Sequence, residues 1–97
     1  MLLENDQVRV LDTRITPGDT VPRHTHCWPA VHHVVNWSDF VRRGATGEVE
    51  ADTRGMPAVA VGTALWSGPL GPHTLENVGT TELHVVSVEL KQGSASL

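Results

Sequence analysis

Hydrophobic and polar positions interleave along this chain with a period close to two, the spacing of side chains that alternate across a strand. Over Val8–Ile15, β-forming residues are broken by Arg9, Asp12 and Arg14, and Thr16-Pro17-Gly18-Asp19 ends the run with turn chemistry. Residues 20–26 are expected to be extended, because the positions before Pro22 and Pro29 are biased away from the helical region. Residues 30–35 are β-branched and histidine-rich, Asn36-Trp37-Ser38-Asp39 turns them, and 40–43 begin another strand. Gly44-Ala45-Thr46-Gly47 reads as a hairpin loop, and the charges of 48–52 suggest a solvent-facing or edge strand. The most apolar run, 58–66, is expected as a strand that ends at the stiff corner Ser67-Gly68-Pro69-Leu70-Gly71-Pro72. Segments 73–77 and 82–90 complete the pattern, and the tail from Lys91 to Leu97 is polar and expected to fray. About eight short strands at spacings of about eight to twelve residues, with no helical period, predict an all-β sandwich, barrel or jelly roll.

Composition agrees with that reading. Nine glycines and six prolines supply tight turns, and 97 residues make one domain, with a core over about 4–91 and a polar tail at 92–97. A chain this size buries only roughly 60–70% of its unfolded surface, so a metal or a second subunit would add useful stability. The formal charge is −4, and only Arg42 and Arg43 are adjacent among the seven Lys and Arg. That distribution offers no basic stripe for nucleic acid. One cysteine excludes an internal disulfide framework, and the start lacks a basic, apolar leader. No segment is long and apolar enough to cross a bilayer as a helix. The expectation is a cytoplasmic protein with no nucleic-acid or membrane partner.

The chemistry concentrates at Gly18-Asp19-Thr20-Val21-Pro22-Arg23-His24-Thr25-His26. His24 and His26, one residue apart on an extended segment, share a face and form half of a metal site. Cys27 then points to the opposite face and is a poor ligand, and Trp28 and Trp37 read as structural aromatics.

Gly18, five residues, His24, one residue, His26 matches the first half of the first cupin motif. Pro69-Leu70-Gly71-Pro72-His73-Thr74-Leu75-Glu76-Asn77 is similar to the second. The chain therefore resembles a small single-domain cupin from about Glu4 to Lys91. The resemblance implies a jelly roll, often paired as a homodimer, with the family's usual metal ligands on His24, His26 and His73. Asn77 would tie a turn. Two departures stand out: the spacing from Gly71 to His73 is one residue short, and Ala30 and Val31 stand where the family places a ligating glutamate.

Without that carboxylate, three neutral imidazoles would leave a divalent ion its full charge and favour anionic substrates. If 30, 32 and 34 point inward, His32 lies about 7 Å along the strand from the missing carboxylate; if the register slips by one, His33 takes that place. His32 is the expected base or orienting group, and His33 is kept as a cavity-lining alternative. His84 is in phase with Val86, Val88 and Leu90, an apolar set expected to face inward, so it either lines the cavity or serves as a structural or rim histidine. Trp66 is a candidate cavity wall, and Asp12 and Arg14 read as solvated surface.

These readings converge on a metal-dependent enzyme using Fe, Zn, Ni, Cu or Mn on a small anionic or chelating molecule, dioxygenase-like in one version. A lyase, isomerase or cyclase on the same site, a non-catalytic small-molecule-binding module and a metal-free barrel are the alternatives.

Overall fold

A computed structural model describes residues 1–91 of the chain; residues 92–97 of the expected frayed tail lie outside the described residues. The strands are β1 (Leu3–Glu4), β2 (Val8–Ile15), β3 (Thr20–His26), β4 (Ala30–Asn36), β5 (Phe40–Gly44), β6 (Val49–Asp52), β7 (Ala64–Ser67), β8 (Leu70–Asn77) and β9 (Leu83–Leu90). They form a five-stranded sheet, β1-β2-β9-β4-β7, and a four-stranded sheet, β3-β8-β5-β6. Every pairing is antiparallel, and no described residue is helical. The alternating pattern thus produces the all-β, two-sheet architecture expected of a jelly roll.

Two boundaries differ from the sequence expectation. The apolar run at 58–66 is not one strand, because only its end pairs, as β7. Before it the chain turns at Gly62, whose φ of +90° a side chain would resist, and this turn is tied to β4 by Gly62 N–H to Val34 O at 2.8 Å. β8, in turn, starts at Leu70, so the Pro69–Pro72 corner belongs partly to the strand. Pro22 and Pro72 are tolerated because the β3–β8 ladder shifts register between Val21 and His24 and again between His24 and His26. These irregularities still leave His24 directly opposite His73.

Register stacks the inward side chains in layers. His24, His73 and Gly44 form one row of the four-stranded sheet, and Val21, Leu75 and Arg42 form the next. In the facing sheet, Arg9, Glu89, Ala30 and Ser67 are in register, followed by Leu11, Ser87, His32 and Leu65. The end away from the histidines closes on Ile15, Val34 and Leu83, each no more than 3% exposed.

Asn77 locks that end. It is fully buried; its Nδ2 donates to Ile15 O at 2.7 Å and Thr81 O at 2.8 Å, while its Oδ1 accepts from Ser38 Oγ at 2.7 Å and Gly79 N at 2.9 Å. Its backbone also exchanges bonds with the β2–β3 turn, donating to Asp19 O and accepting from Gly18 N, each at 3.0 Å. Leaving such buried partners unpaired costs about 1–3 kcal/mol per group. Asn77→Ala should therefore lower stability by about 3 kcal/mol in urea denaturation; a loss too small to measure would show that water replaces the amide.

Candidate metal centre and cavity

β3 delivers His24 and His26, and β8 delivers His73. Their ring centroids lie 4.3–5.3 Å apart, and one ligating atom from each can be chosen so that all lie within 4.8 Å of one another. Each Nδ1 already has a partner: His24 donates to Pro22 O at 2.8 Å, His73 to Gly71 O at 2.7 Å and His26 to Glu89 Oε2 at 2.7 Å. A carbonyl or carboxylate oxygen only accepts, so the proton of each neutral ring sits on Nδ1 and the lone pair on Nε2. That tautomer is the one a metal bound through Nε2 would need. The donor set fits a divalent transition metal. His73 is 3% exposed, and burial pushes its pKa down, with the His24, His26 and Arg42 charges adding to the effect against the Gly71 hydrogen bond.

Glu89 went unnoticed in the sequence. Its carboxylate, 1% exposed, accepts from Arg9 Nε at 2.7 Å on one oxygen and from His26 on the other. Burial alone would raise its pKa, but the Arg9 and His26 bonds outweigh burial and hold it below the usual value. Arg9 in turn lies over the Trp28 ring, 5.1 Å from the centroid. Glu89 is also the cross-strand partner of Ala30. At the position where the resemblance expects a ligating carboxylate there is a buried methyl, and the carboxylate comes from the adjoining strand to hold a ligand histidine.

The inward phase of β9 is therefore Leu83, Val85, Ser87 and Glu89, and His84 is on the other side. Its Nε2 bonds Asp12 Oδ1 at 2.6 Å, away from the cavity, and the His84 and Arg14 hydrogen bonds lower the Asp12 pKa. The sequence misleads here because Val86, Val88 and Leu90 look like a core face, while the barrel places Ser87 and Glu89 inside. His33 is exposed and likewise does not line the cavity, so the register puts His32 inward. Trp66 borders the cavity but is 63% exposed, and it pairs with Val31, whereas Leu65 pairs with the inward His32. Cys27 is exposed.

His32 bonds Ser87 Oγ through Nδ1 and Ser67 Oγ through Nε2, both at 2.7 Å. Burial is the main reason its pKa is lowered, with the charges on His26 and Arg42 adding to that and Glu89 opposing it. The cavity it lines has a volume of about 410 Å3 and carries the three histidines together with Val34, Phe40, Leu83 and other apolar side chains.

Solved structures share this architecture. A cupin domain from Bordetella pertussis Tohama I superposes with a TM-score of 0.75 at 20% identity, covering 93% of this chain and 88% of that one. The fold is a cupin fold. A protein from Klebsiella pneumoniae with a double-stranded β-helix domain matches with a TM-score of 0.63 at 21% identity, over 98% of this chain and 76% of that one. The polyketide cyclase RemF from Streptomyces resistomycificus matches with a TM-score of 0.56 at 17% identity, over 89% of this chain and 56% of that one. No protein-family model matches the sequence, and no curated protein is significantly similar to it.

Two measurements test how this site is built. A carboxylate behind a ligand histidine typically contributes 10–100-fold to metal affinity. Glu89→Gln should therefore weaken Co(II) binding by about tenfold or more in a direct titration, and unchanged affinity would mean His26 needs no such support. For His32 the sign follows from its lowered pKa. The unfolded chain binds the extra proton first, so the stability this residue contributes is complete above about pH 6.5 and is lost as pH falls through the lower folded-state value. Urea midpoints measured from pH 7.5 down to pH 5 should fall less steeply for His32→Gln than for the wild type; parallel slopes would assign the acid sensitivity elsewhere.

Proposed function

We propose that this protein is a metal-dependent enzyme acting on a small anionic or chelating molecule, with His24, His26 and His73 holding one divalent transition ion. The observation that carries the reading is the shared state of these rings: each Nδ1 is occupied by an acceptor and each Nε2 is left beside a cavity large enough for a small organic ligand. A bound ion would supply Lewis-acid or oxygen-activating chemistry.

The chain's own residues do the rest. Glu89, anchored by Arg9, keeps the His26 ring turned and protonated on Nδ1. His32, kept neutral by burial, can take a proton only through the Ser67 or Ser87 hydroxyl, because both of its nitrogens are bonded to them. In this reading His32 orients a serine hydroxyl toward the ligand and relays a proton through it. The apolar walls exclude water and strengthen each polar contact.

A second reading, a binding module without turnover, is favoured by the same His32 bonds, which leave no free base among the imidazoles outside the metal triad that line the cavity. Within the enzyme reading, dioxygenase chemistry stands beside non-oxidative chemistry, for which the shared fold of a cyclase offers support.

Elemental mass spectrometry of tag-free protein should find about one equivalent of one transition metal. His24→Ala, His26→Ala and His73→Ala should each lose it, and His84→Ala should keep it. No metal after reloading would remove the enzyme reading, and equal loss in all four variants would reject this ligand set.

A further inference from the structure

Arg42 has no assigned task in the site described so far. It lies in β5, one inward step from Gly44, which pairs with His73, so its row sits about 7 Å along the strand from the histidine row. Among the described residues that line the cavity, it alone carries a permanent charge.

The guanidinium is only lightly engaged. Nε donates to Glu50 Oε1 at 3.2 Å, a pair with side-chain exposures of 26% and 37%, and neither Nη has a partner among the described residues. An exposed pair of this kind contributes about 0–1 kcal/mol, so a ligand anion could replace Glu50 at little cost. A Cβ at Gly44 would run into the Glu48 carboxylate first and would also stand 2.7 Å from Glu50 Oε2, so the glycine leaves room for both acidic side chains beside this row.

Beyond the Arg42 row the lining turns apolar, with Val34, Phe40, Leu83 and Val85. Trp37 lines the same cavity, and its Nε1–H is buried with no partner among the described residues. A guanidinium fork near the histidines and an apolar end suit one ligand chemistry: an amphipathic carboxylate. The fork accepts both carboxylate oxygens, and the hydrocarbon body fills the far end.

The geometry points to a site for an apolar organic carboxylate, held at its head by Arg42 beside the histidine centre. This inference deepens the enzyme reading by naming the ligand class, and it rests on that reading only for what happens after binding. The charge of the guanidinium is present with or without a metal, so binding to the stripped protein decides it.

The test is calorimetric titration of EDTA-stripped protein with octanoate and with its uncharged counterpart octanamide. Octanoate should bind about tenfold or more tightly than octanamide. Arg42→Gln should remove that preference while leaving octanamide binding in place. Glu50→Gln, at an exposed position that spares the fold, should bind octanoate at least as tightly as the wild type. Failure of octanoate to bind, equal affinity for the two ligands, a preference that survives Arg42→Gln, or weaker octanoate binding by Glu50→Gln would each overturn the proposal. Arg42-dependent octanoate binding by a protein that takes up no metal would keep the carboxylate site and discard the metal enzyme.

Discussion

The contact between Glu89 and His26 joins the two sheets at the point where the candidate chemistry lies. His26 belongs to the four-stranded sheet and Glu89 to the five-stranded one, so a 2.7 Å hydrogen bond fixes the distance between the layers at the mouth of the barrel. A carboxylate that is 1% exposed is costly to bury alone. Arg9 offsets that cost, and Trp28 lies against the guanidinium. Removing any member strands another: without Arg9 a buried anion lacks its cation, and without Glu89 a guanidinium and an imidazole both lose their acceptor. The three histidines converge because this link and the His24–His73 pairing act on them from different sides.

The opposite end solves the same problem with neutral groups. Asn77 uses both ends of its amide to close the turn after β8 and the end of β2, so no charge is buried there. The barrel is therefore pinned by an ionic network at its mouth and by an amide network at its floor. Between them the walls are held mostly by apolar contact, and there a ligand can be admitted at the lowest cost in lost polar bonds.

Much of this was legible in the sequence, for reasons that can be named. Alternation with turn residues at regular spacing predicted the strands, and the close spacing of His24 and His26 placed them on one face despite the bulge between them. What misled was any argument from apolar phase in β9. Its outer positions Val86, Val88 and Leu90 are more hydrophobic than the inward Ser87 and Glu89, because the inward face has a site to build as well as a core. The rule that apolar residues face inward holds for Leu83 and Val85 and fails where the strand reaches the histidines, so of the two readings for His84 the cavity-lining one falls and the structural one stands. Glu89 was hidden for a related reason, since only the cross-strand register shows that it stands beside Ala30. The apolar run at 58–66 misled differently: hydrophobicity suggested a strand, but Pro57 and Gly62 break it and leave Val61 68% exposed.

Moving the carboxylate from the ligand set to the neighbouring strand has an electrostatic consequence. A ligating carboxylate would donate its charge to a bound ion, whereas Glu89 shares its charge with Arg9, so the pair is close to neutral as seen from the cavity. Three neutral imidazoles do not offset a divalent charge either. A bound ion would then set most of the field inside the cavity, with Arg42, partly offset by Glu50, adding to it within largely apolar walls that screen poorly. A neutral ligand would gain little from that field, and a cation would be repelled by it. In the proposed reading an apolar far end would favour hydrocarbon and the histidine end negative charge, so the relocated carboxylate and the weakly paired Arg42 guanidinium would favour the same class of molecule.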